Sequence, residues 1–306
     1  MEAALYGPEG FYERQGGGAG RRGDFLTAPE VGPLFGAVLV RALDAWWDAQ
    51  GRPDAFTVYD AGAGAGTLGR SLALAGSPHR YVAVDRSRAQ RARHQGVESA
   101  ADLPDGPLVG VVVANELLDN LPFDLTLGGR PFDPGQDWPE TGLAPRQDQA
   151  RQWVEGVLAR LRGRLVVVDY VSTTAAMATR PWPEWLRTYR GHDRGGHPMD
   201  HLGDQDITAE VALDQLPAPD EDHSQADWLR SWGIDDLVEE GRRIWQERAH
   251  LGDLEAIRAR SRVNEAEALL DPAGMGSFRV LEWSVVEQAG ERDPGGAVGH
   301  VAHSAP

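Results

Sequence analysis

Three features predict an α/β fold built on a parallel sheet covered on both faces. Strand-like apolar runs alternate with helix-period stretches from about residue 56 to residue 169. Leu108–Ala114 is apolar without interruption, as a strand buried on both faces should be. An acid-ended strand runs into a glycine turn and then a helix, the arrangement that places ligands at the carboxyl edge of such a sheet.

The elements follow in order. Residues 1–33 are rich in Gly and Pro, yet carry Tyr6, Phe11, Tyr12 and Phe25, so this arm is expected to be irregular but packed on the core. A helix of about seventeen residues is opened by Pro33 and closed by Gly51, with Leu34, Phe35, Val38, Leu39, Ala42, Leu43 and Trp46 at helical spacing. Phe56–Asp60 reads as a strand and Thr67–Ala75 as a helix. Arg80–Asp85 reads as a strand, and Ser87 with Gln90 as a capping box opening a helix. Residues 128–146 suggest a short hairpin and loop. Ala150–Leu161 is read as a helix ending at Gly163, and Leu165–Asp169 as a buried strand. Beyond Tyr170 the alternation stops. Residues 173–206 look loop-like and 215–225 a linker; two helices, a final strand Phe278–Val286 and a disordered tail over 288–306 complete the chain. The domain organisation expected is an arm and helix over 1–50, a ligand-binding core over 51–172, a flanking region over 173–287, and the tail.

Composition narrows the function. The 306 residues are 41% hydrophobic, and no apolar run reaches the roughly 18 residues that cross a bilayer. A formal charge of −17 disfavours nucleic acid and anionic membranes as partners. Without cysteine there is no disulfide, thiol nucleophile or thiolate zinc site. All 30 basic residues are Arg, which removes Schiff-base and P-loop lysine chemistry. Met1 to Ala4 show neither a basic start nor an apolar stretch, so a cytoplasmic protein is expected.

The turn Asp60-x-Gly62-x-Gly64-x-Gly66 lets backbone approach a ligand closely. Asp85, ending the next strand, is placed to accept hydrogen bonds from ribose hydroxyls. A carboxylate at position 60 would repel a pyrophosphate but attract the amino group and sulfonium of S-adenosylmethionine. These residues therefore favour S-adenosylmethionine over a dinucleotide. Asn115, Glu116 and Asp119 emerge at the same sheet edge. There they could orient a methyl acceptor, its planar donors if it is a guanidinium, or equally well cap a helix. His192, His197 and His201 lie among Asp193, Asp200, Asp204 and Asp206, but their spacing fits a polar loop better than a metal site. Arg86, Arg88, Arg91 and Arg93 fit a solvated helix face better than a phosphate site.

Several motifs together resemble one family. They are Tyr6 to Tyr12, Gly23-Asp24-Phe25-x-Thr27-x-Pro29-Glu30, the glycine turn, Asn115-Glu116-x-x-Asp119-x-Leu121-Pro122, Asp169-Tyr170, Leu186 to His192, Asp206 to Thr208, and Leu270 to Phe278. The resemblance spans about residues 4–284 and is to the MidA family of class I S-adenosylmethionine-dependent methyltransferases. It implies a Rossmann-like sheet with an N-terminal arm and an added mixed C-terminal region. It also implies a protein acceptor, arginine in the family's mitochondrial member, and so a protein partner such as a respiratory complex subunit. Gly23, Asp24, Thr27 and Glu30 are implied near the cofactor, and His192 in the substrate loop. The sequence departs from the family pattern at Asp60, Ala63 and Val171 and in the loop after His192. The alternatives are a catalytically silent assembly protein that keeps the fold and, less favoured by the turn, a nucleotide-dependent oxidoreductase.

Overall fold

The computed structural model describes residues 1–13, 26–191 and 193–285. The first elements are α1 (Glu2–Tyr6), α2 (Ala28–Val31) and α3 (Pro33–Ala49). The arm is therefore not wholly irregular: Leu5 and Phe11 are fully buried, and Tyr6 stacks on Tyr12 at 5.5 Å. α3 has the expected bounds, because Pro33 presets the first turn and Gly51 stops the last. Its seven expected apolar residues are all buried. Burial of each Val, Leu or Phe among them contributes about 1.5–3 kcal/mol over its exposed state.

Then come β1 (Thr57–Ala61), α4 (Thr67–Leu74), β2 (Arg80–Val84), α5 (Arg88–Arg91), β3 (Glu98–Ala100) and β4 (Leu108–Asn115). α5 is a single turn, and its capping box is half formed. The Ser87 hydroxyl accepts from the Gln90 amide at 3.1 Å, but the Ser87 amide donates to Asp85 at 2.8 Å rather than to the Gln90 side chain.

A small three-stranded sheet follows: β5 (Asp124–Leu127), β6 (Arg130–Pro131) and β7 (Leu143–Arg146). Next are α6 (Asp148–Leu158) and β8 (Leu161–Asp169). The helix thus ends three residues earlier than its periodicity suggested, since Leu161 already pairs with Leu108 of β4. Gly163 is a strand residue, not a helix stop. Its φ is +147°, and a Cβ there would lie 1.8 Å from the Gly110 carbonyl oxygen.

The expected loop over 173–206 holds α7 (Thr174–Thr179), α8 (Trp182–Trp185), β10 (Leu186–Arg190) and β11 (Asp193–Arg194), after β9 (Val171–Ser172). β12 (Asp206–Ala209) and β13 (Val211–Ala212) follow. These elements are too short for a period to show. The expected linker contains β14 (Glu221–Ser224), an edge strand whose acidic residues suit an exposed sheet margin. Three helices stand where two were expected: α9 (Gln225–Ser231), α10 (Ile234–Arg248) and α11 (Leu254–Leu270). β15 (Arg279–Val285) closes the main sheet, and the expected tail lies outside the described residues.

The main sheet has order β14-β15-β8-β4-β1-β2-β3, with β15 antiparallel to β8 and the strands from β8 to β3 parallel. Alternate residues feed two cores. Val111, Val113, Val166 and Val168 face α3, α4 and the C-terminal helices, while Val112, Ala114, Leu165 and Val167 face α6. A third core joins the arm to the added region through Leu5, Phe11, Trp185 and Ile207. Among the described residues no helix is long and apolar enough to cross a membrane. The strand order reverses between β1 and β4, which fixes the crevice where a ligand would sit.

Candidate active site

A cavity of about 790 Å³ opens at that crevice. Gly62, Gly64 and Gly66 carry φ values of +73°, +52° and +71°, a left-handed series that turns β1 into α4 with backbone facing the cavity. The amides of Gly62 and Ala63 donate to the Val84 carbonyl at 2.9 and 3.1 Å, tying the turn to β2.

Asp60 and Asp85 both line the cavity. Asp85 accepts from the Gly64 amide at 2.9 Å and the Ser87 amide at 2.8 Å, one on each oxygen. A carboxylate has about four acceptor directions, so it keeps capacity for a ligand. Burial pushes it up to about 6 against those two bonds. Asp60 accepts the Tyr81 hydroxyl, and burial pushes it up to about 7.

Sequence reasoning missed several wall residues. Asp102 and Leu103, just after β3, and Trp153 of α6 line the cavity. The signal for Asp102 was its place after a third parallel strand, but three residues are too few to read as one. His94 Nε2 meets the Gly64 carbonyl at 2.8 Å and Nδ1 the Ser99 hydroxyl at 2.8 Å, bracing the turn from behind. Burial holds His94 below its ordinary value.

From the arm, Thr27 and Glu30 reach the cavity. The Thr67 hydroxyl, at the start of α4, donates to Glu30 at 2.5 Å. Gly23, Asp24 and His192 lie outside the described residues. His197 packs against Trp138 and Trp182, with ring centroids at 4.5 and 5.2 Å. Among the described residues no group of three or more His, Asp or Glu is placed to hold a metal. Arg86 is engaged with Glu2 at 2.6 Å and lies over the Tyr6 ring.

At the end of β4, Asn115 and Glu116 line the cavity while Asp119 stands behind it, bonded to the Thr208 hydroxyl. No α-helix begins here. A 3-10 turn, Leu118–Asn120, has its Leu118 and Asp119 amides taken by Asp169 at 3.0 and 3.3 Å, so Asn115 is not a cap. Asn115 Nδ2 donates to Glu116 at 3.2 Å, leaving Asn115 Oδ1 buried without a partner, as is Asp119 Oδ1. Glu116 takes φ +51°, a conformation that costs a non-glycine residue of order 1–3 kcal/mol and is found where function demands it. Asp206 joins from β12, accepting the Tyr12 hydroxyl at 3.0 Å and Asn120 Nδ2 at 3.2 Å.

Burial is the first cause of raised values throughout this group: Asp119 reaches about 6, Asp206 about 7, Glu116 about 8, and Asp169 lies well above the carboxylate range. The protein's pH response follows. With Asp60 and Asp85, these groups keep protons in the folded state that the unfolded chain releases near pH 4. The folded state therefore loses stability as pH rises from about 4 to about 8. We expect Tm of the ligand-free protein to fall by ~5–15 °C between pH 5 and pH 8.5, measured by scanning calorimetry. A Tm rising with pH over that window would contradict the burial of these acids.

A family model described as S-adenosyl-L-methionine-dependent methyltransferase matches residues 38–144. A Burkholderia thailandensis protein solved with bound S-adenosyl-homocysteine is 29% identical, with a TM-score of 0.76, covering 93% of this chain and 86% of that one. The chain is thus similar, in sequence and in fold, to S-adenosylmethionine-dependent methyltransferases. A second, native structure from the same organism matches this chain with a TM-score of 0.72 at 28% identity, with the same coverage of 93% and 86%. The mitochondrial protein arginine methyltransferase NDUFAF7 homolog of Drosophila melanogaster is 35% identical over 72 residues, which is 24% of this chain and 16% of that relative's length. The cavity suits S-adenosylmethionine, whose demethylated product is bound in the Burkholderia structure. Two carboxylates with free acceptor directions face it across a backbone turn, a set that matches hydroxyls and a cation better than a pyrophosphate.

Proposed function

We propose that this protein methylates a nitrogen of a protein side chain, an arginine guanidinium, with S-adenosylmethionine as donor. The observation that carries the acceptor class is Asn115 Oδ1, buried without a partner beside the Glu116 carboxylate, both residues lining the cavity. A guanidinium brings five donors and no acceptor, which such oxygens call for. The name of the Drosophila relative supports the same reading.

Bound S-adenosylmethionine supplies an electrophilic methyl group on a sulfonium. Asp85 would accept from its ribose hydroxyls, and Asp60 with the Gly62–Gly66 backbone would face its amino-acid end. Asp102 would lie toward its base. Thr27 and Glu30 wall that side, and the Tyr6 and Tyr12 rings exclude water. Glu116 and Asn115 would hold the acceptor's N–H groups, with Asp119 adding charge from behind. A cation beside Glu116 pulls its raised value down, so the carboxylate forms as the acceptor arrives. Glu116 would then take the proton that the nitrogen loses as the N–C bond forms and the S–C bond breaks, its electron pair staying on the sulfur of the departing S-adenosyl-homocysteine.

The test is incubation with methyl-labelled S-adenosylmethionine and a cell extract, followed by hydrolysis of the labelled protein. Label recovered as methylarginine is the expected result. Label on lysine, histidine or a carboxyl group would overturn the acceptor while leaving a methyltransferase.

A further inference from the structure

The N-terminus of α3 is capped from the far end of the chain. Its N-cap residue is Gly32, which has no side chain, and Pro33 has no N–H to offer. The first available donor, the Leu34 amide, is instead taken by the Glu265 carboxylate at 2.8 Å, from a residue 231 positions away on α11. Glu265 is 6% exposed, and the Ser261 hydroxyl donates to its other oxygen at 2.7 Å. The partial positive charge of a seventeen-residue helix favours an anion at this point.

Gly32 is glycine for space. Its φ of 168° is ordinary extended backbone, but a Cβ there would stand 2.2 Å from the Glu265 carboxyl carbon. The carboxylate therefore packs directly on the one-residue link between α2 and α3. Across that link, α2 carries Pro29 and Glu30 on the cavity wall, and the Ala28 amide bonds Glu116. Glu30 in turn accepts Thr67, at the first position of α4 after the glycine turn, and Arg70 of α4 donates to both Thr67 and the Ala65 carbonyl at 2.7 Å.

We infer that Glu265 is a positioning residue for the cofactor site: through Gly32 it sets α2, and through Glu30 and Ala28 it sets the wall facing both the glycine turn and Glu116. The inference rests on the reading that this cavity holds S-adenosylmethionine. The added C-terminal region thus has a part in cofactor binding that no residue of it needs to touch the cofactor to play.

The experiment is calorimetric titration of S-adenosyl-homocysteine into the full chain, with Tm recorded for each variant. Glu265→Ala should weaken binding by about tenfold, the loss expected if the displaced wall costs the cofactor roughly one hydrogen bond. Glu265→Gln should stay close to wild type, since its amide oxygen still accepts from the Leu34 amide. Gly32→Ala approaches the same contact from the other side and should weaken binding similarly; it decides the matter should Glu265→Ala not fold. Arg262→Ala, which removes the tie from α11 to the Leu237 carbonyl and Glu240 of α10, should lower Tm without moving affinity. Wild-type affinity in both Glu265→Ala and Gly32→Ala, with only Tm lowered, would overturn the inference. Wild-type protein that binds no S-adenosyl-homocysteine would instead defeat the cofactor reading, and this inference with it.

Discussion

Glu116→Gln is expected to slow methyl transfer by ~10²–10⁴-fold while S-adenosyl-homocysteine affinity stays within about twofold of wild type. Glutamine has nearly the shape of glutamate and can still receive the Asn115 and Ala28 donors, so the wall survives. What it cannot do is take a proton from the acceptor nitrogen or hold a cation by charge. The effect should fall on the rate with bound acceptor, read by single-turnover transfer of labelled methyl. The backbone at 116 makes the prediction sharper. A left-handed φ of +51° at a residue with a full side chain is maintained by the Val168 bond and the strands around it. An unchanged rate would leave Glu116 as a structural acid only.

Asp85→Ala should abolish measurable cofactor binding. Two hydrogen bonds from ribose to a charged acceptor are worth together about 3–6 kcal/mol, or ~10²–10⁴-fold in affinity. The same carboxylate holds the Gly64 and Ser87 amides, so its removal also loosens the turn, which keeps only its bonds to the Val84 carbonyl. Asp85→Asn separates these effects: an amide oxygen can keep one backbone bond but offers neither the charge nor a second acceptor. Its affinity should lie between wild type and alanine. Wild-type affinity in folded Asp85→Ala would remove the ribose contact from the account.

What could be read in advance was what short-range chemistry dictates. Proline and glycine punctuate α3 without ambiguity, and β4 and β8 show as unbroken apolar runs because both faces of the sheet are covered. Asp60, Asp85 and Glu116 could be found because parallel strands end at one edge, which turns strand position into site position. Gly163 misled because a glycine after a periodic stretch reads as a helix stop, whereas here it answers the Gly110 carbonyl on the neighbouring strand. Met177, Trp185 and Ile207 show no period, since the residues they pack against, Leu5 and Phe11, lie more than 160 positions earlier. Asp102 follows a strand of only three residues, too short to read, and His94 and Glu265 carry no local signal at all; their importance exists only in the neighbours that folding supplies.

The most direct test of the central claim is calorimetric titration of S-adenosyl-homocysteine into wild-type protein, with Asp85→Ala alongside. The account predicts one site of micromolar affinity in the wild type, undisturbed by NAD and lost in the variant. Folded wild-type protein that gives no binding heat and no rise in Tm with S-adenosyl-homocysteine would contradict it.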